Sequence, residues 1–174
     1  MYVFRIIRRD YVHVHILQAG DHSYDFVANS KTQPTDAKIL SHGTACAGVV
    51  AAARNNLCGV GIAYDSKAAS LRVLGGTYRS PDGRSQSPTP EYSSREATAF
   101  NYHYDSISIY SCSYGPEDDG KSLGGLTYVG KQALLNGVNK GRDGKGSIFV
   151  FAAGNGGDPD KEHDDCNFDS YVNR

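Results

Sequence analysis

Ser41-His42-Gly43-Thr44-Ala45-Cys46-Ala47-Gly48 runs straight into Val49-Val50-Ala51-Ala52-Ala53, and this stretch decides how the chain is read. Its small side chains predict a helix lying close against a sheet, with His42 at the helix mouth and its ring at the sheet's edge. That is where a general base belongs. A lone histidine is as readily a capped or surface residue, so His42 needs corroboration from elsewhere in the chain.

With 174 residues the chain can bury one substantial core, and 18 basic against 19 acidic side chains give no general pull toward nucleic acid or a membrane surface. It reads as one soluble domain or a piece of one. The 20 glycines and 12 tyrosines suit a loop-rich enzyme-like fold. No apolar run approaches the roughly 20 residues of a membrane span. The opening Met1-Tyr2-Val3-Phe4-Arg5-Ile6-Ile7-Arg8-Arg9 is too short in apolar length, and broken by Arg5, to be a secretion signal. Cys46, Cys58, Cys112 and Cys166 are too widely spaced for a zinc cluster and too few for a disulfide-stapled scaffold.

Outward from the central stretch, Val12, Val14 and Ile16 alternate with His13 and His15, a short strand with both imidazoles on one face. Those histidines are a His-x-His metal pair or, more simply, two solvated side chains on an edge strand. From Asp21 to Leu40 the composition predicts a long surface loop. Val60 to Tyr64 and Ala68 to Leu74 read as two strands, and the stretch between Gly75 and Pro90 as an exposed loop or insertion. Glu91 to His103 is a helix with a thin apolar face. Ile107, Ile109 and Tyr110 mark a strand that ends in Ser111-Cys112-Ser113-Tyr114-Gly115-Pro116. Leu126, Val129, Ala133, Leu134 and Val138 fall on one helical face with Gly141 as a stop. Ser147 to Ala152 is continuously apolar, as expected of a strand covered on both faces.

Strands alternating with helices predict an α/β fold: a parallel β-sheet with flanking helices. In such sheets functional residues collect at the carboxyl ends of the strands. His42, the Ser113-Tyr114-Gly115 tail and Ala153-Gly154-Asn155-Gly156-Gly157 all stand at element ends. Asn155, leaving a buried strand on a glycine-flanked turn, can aim its amide at a reacting centre and stabilise an oxyanion. Taken alone, Gly-Asn-Gly is an ordinary turn.

Together these residues resemble the subtilisin-type serine proteases, and within them the kexin and furin branch of proprotein convertases. The resemblance rests on His42 to Gly48, Asn55-Asn56-Leu57-Cys58-Gly59-Val60-Gly61, Tyr110-Ser111-Cys112-Ser113-Tyr114-Gly115-Pro116-Glu117-Asp118-Asp119-Gly120, and Gly144 through Gly157. It implies a partial subtilisin-like peptidase domain over 23–174, a three-layer α/β/α fold left incomplete, with 1–22 as an atypical N-terminal segment. By resemblance His42 is the general base and Asn155 the oxyanion donor. Ser113, Tyr114 and Gly115 pair with an extended substrate. Asp118 and Asp169 sit at the bottom of the pocket for the basic residue before the cleaved bond, and Glu96 and Tyr171 mark a more remote basic-residue pocket. The resemblance also implies Ca2+, at one site through Asn56 and the carbonyls of Ala53, Leu57 and Gly59, and at a second through Asp118 and Asp164. The implied substrates are peptides or proproteins with basic residues, met in the secretory pathway.

The chain also departs from that pattern. No Gly-Thr-Ser follows, and Asp10, in Arg9-Asp10-Tyr11, does not fit the orienting aspartate. As written the chain is expected not to hydrolyse peptides, and it reads as a fragment or truncated gene product rather than a purposeful inactive form. Cys58 and Cys166 match family half-cystines whose partners would lie beyond Arg174. Ala45 stands for the usual arginine, and Ile39 and Gly124 stand where relatives carry acids, so demand for basic residues beyond the first pocket is expected to be relaxed. A non-catalytic module that holds basic peptides is the alternative. A nucleotide site at Gly154-Asn155-Gly156-Gly157 fails on context, because that loop feeds the acids from Asp158 to Asp165 and not a helix N-terminus.

Overall fold

A computed structural model describes residues 17–18, 20–31, 37–56, 59–74, 90–115 and 124–154. The expected His13 and His15 strand, the 75–89 insertion, Leu57, Cys58, Asp118 and all residues after Gly154 lie outside the described residues. The chain divides into two compact units, Met1–Gly76 and Thr77–Arg174.

In the first unit β1 (Leu17–Gln18) pairs in parallel with β3 (Lys67–Ala68), and β2 (Tyr24–Asp25) pairs in parallel with β4 (Leu71–Arg72). The long loop expected over 21–40 is therefore corrected: it contains β2, a tight turn, and the start of α1 (Ala37–Ala51). A two-residue strand offers no periodicity, and β2 is fixed by a tertiary contact. Asp25 is 1% exposed. Its Oδ2 accepts from Arg72 Nη1 at 2.8 Å, while Oδ1 accepts from the backbone N–H groups of Val27 and Ala28, both at 2.9 Å. One carboxylate thus pairs β2 with β4 and closes the turn that follows.

Helix α1 packs as its small residues require. Gly43, Ala47 and Ala51 recur every fourth residue and are buried, with Ala47 and Ala51 clustered on Ala68 of β3. Because α1 begins at Ala37, His42 lies in its second turn and not at its mouth. The strand expected over 60–64 is not formed. Instead the N–H groups of Gly61, Ile62 and Ala63 donate to the carbonyls of Ala52, Val49 and Val50 at 2.8, 3.1 and 2.8 Å. A helix end leaves its last carbonyls without partners, and here the returning loop supplies them. The expected strand over 68–74 is split into β3 and β4, with Ala69 and Ser70 buried between them.

In the second unit β5 (Ile109–Cys112) and β6 (Ile148–Phe151) run parallel, with Ile109 opposite Ile148 and Cys112 opposite Phe151. α2 (Pro90–Asn101) and α3 (Tyr128–Gly144) pack on one another. Tyr110 stacks on its cross-strand partner Phe149 at 4.7 Å, and Phe100 of α2 meets Phe149 edge-on at 5.4 Å. Phe100 is fully buried, a contribution of about 1.5–3 kcal/mol. That exceeds the roughly 1 kcal/mol of the Asn136–Asn101 hydrogen bond between the helices, so apolar packing, not polar pairing, sets this contact.

Two expectations about burial change. The buried face of α3 is Gly130, Ala133, Gly137 and Gly141, whereas Val129 and Val138 are 49% and 44% exposed. The reason is close approach: a Cβ on Gly137 would stand 2.7 Å from the Phe149 ring. Gly141 does end the regular helix, with non-helical torsions from that residue on. β6 is covered on one face only, since Ile148 and Val150 are 45% and 51% exposed. The fold class is α/β, with parallel strand pairs flanked by helices. No helix among the described residues is long and apolar enough to cross a membrane.

Candidate active site

His42 is exposed on α1, and its Nε2 lies 3.7 Å from the sulfur of Cys46, four residues on. Spacing of four residues puts both side chains on one face of the helix. The next residues on that side, Val49 and Val50, are 67% and 40% exposed. The imidazole and the thiol thus share an open helix face. Which ring nitrogen carries the proton depends on its partner.

Ala53 and Gly59 are brought together after the end of α1. Asn55 Nδ2 donates to the carbonyls of Ala53 and Gly59 at 3.0 and 3.3 Å, so those two oxygens converge on one point. Calcium takes 6–8 oxygen ligands, backbone and amide carbonyls included. The carbonyls of Ala53 and Gly59 are the donor type it takes, and the point on which they converge is held here by the Asn55 amide N–H2. The Arg54 guanidinium is occupied on Tyr64, donating to its hydroxyl at 2.6 Å and lying 4.3 Å from the ring centre. Among the described residues there is no cluster of three or more His, Cys, Asp or Glu side chains.

In the second unit the ends of β5 and β6 are in register, with Cys112 opposite Phe151, and Ala152 N–H donates to Cys112 O at 3.0 Å. The tails 113–115 and 152–154 therefore leave the same carboxyl edge side by side. Gly154 has φ +94°, a left-handed turn that favours glycine and stands immediately before Asn155. Ser113 and Tyr114 are half-buried and Gly115 is exposed.

Glu96, expected as a remote pocket acid, is 1% exposed on α2. Its Oε1 accepts from the Tyr114 hydroxyl at 2.8 Å and from the Tyr92 hydroxyl at 3.3 Å. Burial, aided by Cys112, Glu96 and Tyr92, raises the Tyr114 hydroxyl well above the ordinary tyrosine value, so it stays a donor. Burial first, and Glu96 second among the groups that raise it, push the Cys112 thiol up to about 12, against a smaller opposing effect of its contact with Tyr114. Sequence reasoning missed the Asp25–Arg72 pair and the Tyr114–Glu96 bond, because they join residues 47 and 18 positions apart; the Tyr92–Glu96 spacing of four was the one local signal. Asn155, Asp118, Asp164, Asp169, Tyr171 and Leu57 lie outside the described residues.

Parallel strand pairs flanked by helices, with the β5 and β6 tails leaving one carboxyl edge, make an α/β scaffold. The chain belongs to the subtilase family, which it matches over residues 10–171. It is 44% identical over 151 residues to a dibasic-processing endoprotease of Yarrowia lipolytica, covering 87% of this chain and 14% of that protein. It is 46% identical over 155 residues to proprotein convertase subtilisin/kexin type 7 of Mus musculus, covering 87% and 18%. With kexin of Saccharomyces cerevisiae it shares 42% over 152 residues, covering 87% and 17%. The chain thus spans less than one fifth of the length of these relatives.

Proposed function

We propose that this chain is part of the catalytic domain of a serine endopeptidase that processes precursor proteins after basic residues. The observation that supports the reading is the shared carboxyl edge of β5 and β6, from which the 113–115 tail leaves beside the 152–154 tail that leads to Asn155. The names of the relatives, dibasic-processing endoprotease and proprotein convertase, support the substrate class.

In this reading the substrate lies extended along Ser113, Tyr114 and Gly115, adding a strand through main-chain hydrogen bonds. Main-chain pairing is blind to sequence, so selection falls to charged pockets. Asp118 and Asp169 take the basic side chain before the cleaved bond, and Glu96 and Tyr171 border a remoter pocket. His42 accepts the proton of the serine that the family pattern carries in Gly-Thr-Ser, as the hydroxyl oxygen attacks the peptide carbonyl. Asn155 donates to the oxyanion that forms, an interaction worth about 100- to 1,000-fold in rate. His42 then returns its proton to the leaving amine. Calcium bound through Ala53, Asn56, Leu57 and Gly59 would hold the turn after α1, and Asp118 and Asp164 would serve a second site. The secretory pathway is the matching compartment.

The test is His42→Ala in the full-length protein, assayed on peptides with arginine or lysine before the scissile bond. Cleavage is expected to fall on the order of a million-fold. Undiminished cleavage by the variant, or equal cleavage of peptides that lack a basic residue, would overturn the reading.

A further inference from the structure

The turn that follows α1 closes on one side chain. Asn55 Nδ2 donates to the carbonyls of Ala53 and Gly59 at 3.0 and 3.3 Å. Two residues beyond Gly59 the N–H groups of Gly61, Ile62 and Ala63 bond the carbonyls of Ala52, Val49 and Val50 at 2.8, 3.1 and 2.8 Å. The amide therefore fixes both ends of the turn from which that clasp on the helix hangs. Arg54, its neighbour, donates to the Tyr64 hydroxyl instead.

The orientation of the Asn55 amide follows from its partners. Two carbonyl oxygens face it, and only the nitrogen end can meet them, since the oxygen end is itself an acceptor. The two N–H bonds of an amide diverge by about 120°, so the oxygens they take stand roughly 5 Å apart. A calcium ion needs each oxygen at about 2.3–2.6 Å, which places it between them and against the nitrogen. Ion and amide hydrogens, both positive, compete for the same lone pairs.

We infer that the Asn55 amide and calcium are alternative occupants of this turn: the amide closes it when calcium is scarce, and calcium displaces the amide in order to bind. This inference rests on reading Ala53, Asn56, Leu57 and Gly59 as calcium donors, and it adds what regulates that site. Asn55 keeps the end of the helix that carries His42 clasped at low calcium, and it raises the calcium concentration at which the ion takes over.

Asn55→Ala, Asn55→Leu and Asn56→Ala in the full-length protein test this, with hydrogen exchange read at Gly61, Ile62 and Ala63 along a calcium titration that starts in chelator. In chelator, exchange is expected to rise roughly tenfold in Asn55→Ala and in Asn55→Leu, which keeps the size and loses the donors. In saturating calcium both should match wild type, which itself gains protection from the ion. Because only the calcium-free form loses bonds, half-maximal protection in both should come at about tenfold less calcium than in wild type. Asn56→Ala should match wild type in chelator and lose the response to calcium. Wild-type exchange of the Asn55 variants in chelator, or a calcium midpoint unchanged or raised, overturns the inference. If calcium alters exchange in none of the proteins, the calcium reading of this turn fails and the competition with it, while exchange in chelator still decides whether Asn55 closes the turn.

Discussion

Cys46 Sγ lies 3.7 Å from His42 Nε2, one turn apart on α1. A group attached to that sulfur would stand against the ring nitrogen and block any proton transfer there. Cys112, by contrast, is 1% exposed, with its thiol pushed up to about 12 by burial. Only the thiolate is nucleophilic. Iodoacetamide at pH 8 is therefore expected to modify Cys46 at least about a hundredfold faster than Cys112, as read by peptide mass mapping. Peptide cleavage should be lost in step with Cys46 modification, and a Cys46→Ala variant should be insensitive to the reagent. Full cleavage by protein carrying stoichiometric label on Cys46 would refute this.

The Asp25–Arg72 pair is buried, with side-chain exposures of 1% and 9%. Asp25→Ala strands the guanidinium and removes the acceptor for two backbone N–H groups, so it is expected to cost about 3–5 kcal/mol. Arg72→Met, which strands the acid, should cost a similar amount. The double variant Asp25→Ala with Arg72→Met should cost clearly less than the sum of the two single variants, because no unpaired charge remains. Urea unfolding of the four proteins measures this, and strict additivity would show the pair to be uncoupled.

Gly61 and Gly59 offer a matched comparison. A Cβ on Gly61 would stand 2.3 Å from Ala52 N and 2.6 Å from Ala51 N, whereas a Cβ on Gly59 meets nothing within 4 Å. Gly61→Ala should push the clasping loop off the end of α1 and cost about 3 kcal/mol. Gly59→Ala should change stability by less than about 0.5 kcal/mol. Equal midpoints of thermal unfolding for the two variants would contradict the clasp.

Cys112 and Tyr114 keep their protons to higher pH in the folded chain than their ordinary values of 9.0 and 10.0. Raised values favour the neutral forms. Their contribution is complete below about pH 9 and is lost as pH rises, because the unfolded chain then binds fewer protons than the folded one. Each group should steepen the loss by about 1.4 kcal/mol per pH unit above its ordinary value. Tyr114→Phe should show a shallower decline between pH 10 and 11 in denaturant titrations. An unchanged slope would count against a buried, neutral Tyr114.

Much of the architecture was legible because it is local. The spacing of small residues in α1, the stop at Gly141 and the short apolar runs of β5 and β6 each depend on neighbours within a few positions. The first unit was harder. β2 is two residues long, and its Asp25 looks like a loop acid until Arg72, 47 residues away, is placed against it. Val60 and its neighbours read as a strand because an apolar run does not announce whether its N–H groups will bond a strand or a helix end.

The motifs along the chain, in their order, determined by themselves that this is a parallel α/β protein of the subtilase family, since residue type at fixed spacing is what a family pattern records. Only the tertiary structure decided which acids are at work and how. Asp25 pairs strands, and Glu96 is held by tyrosines. A carboxylate's role follows from the donors that reach it and the water it loses, and chain folding sets both.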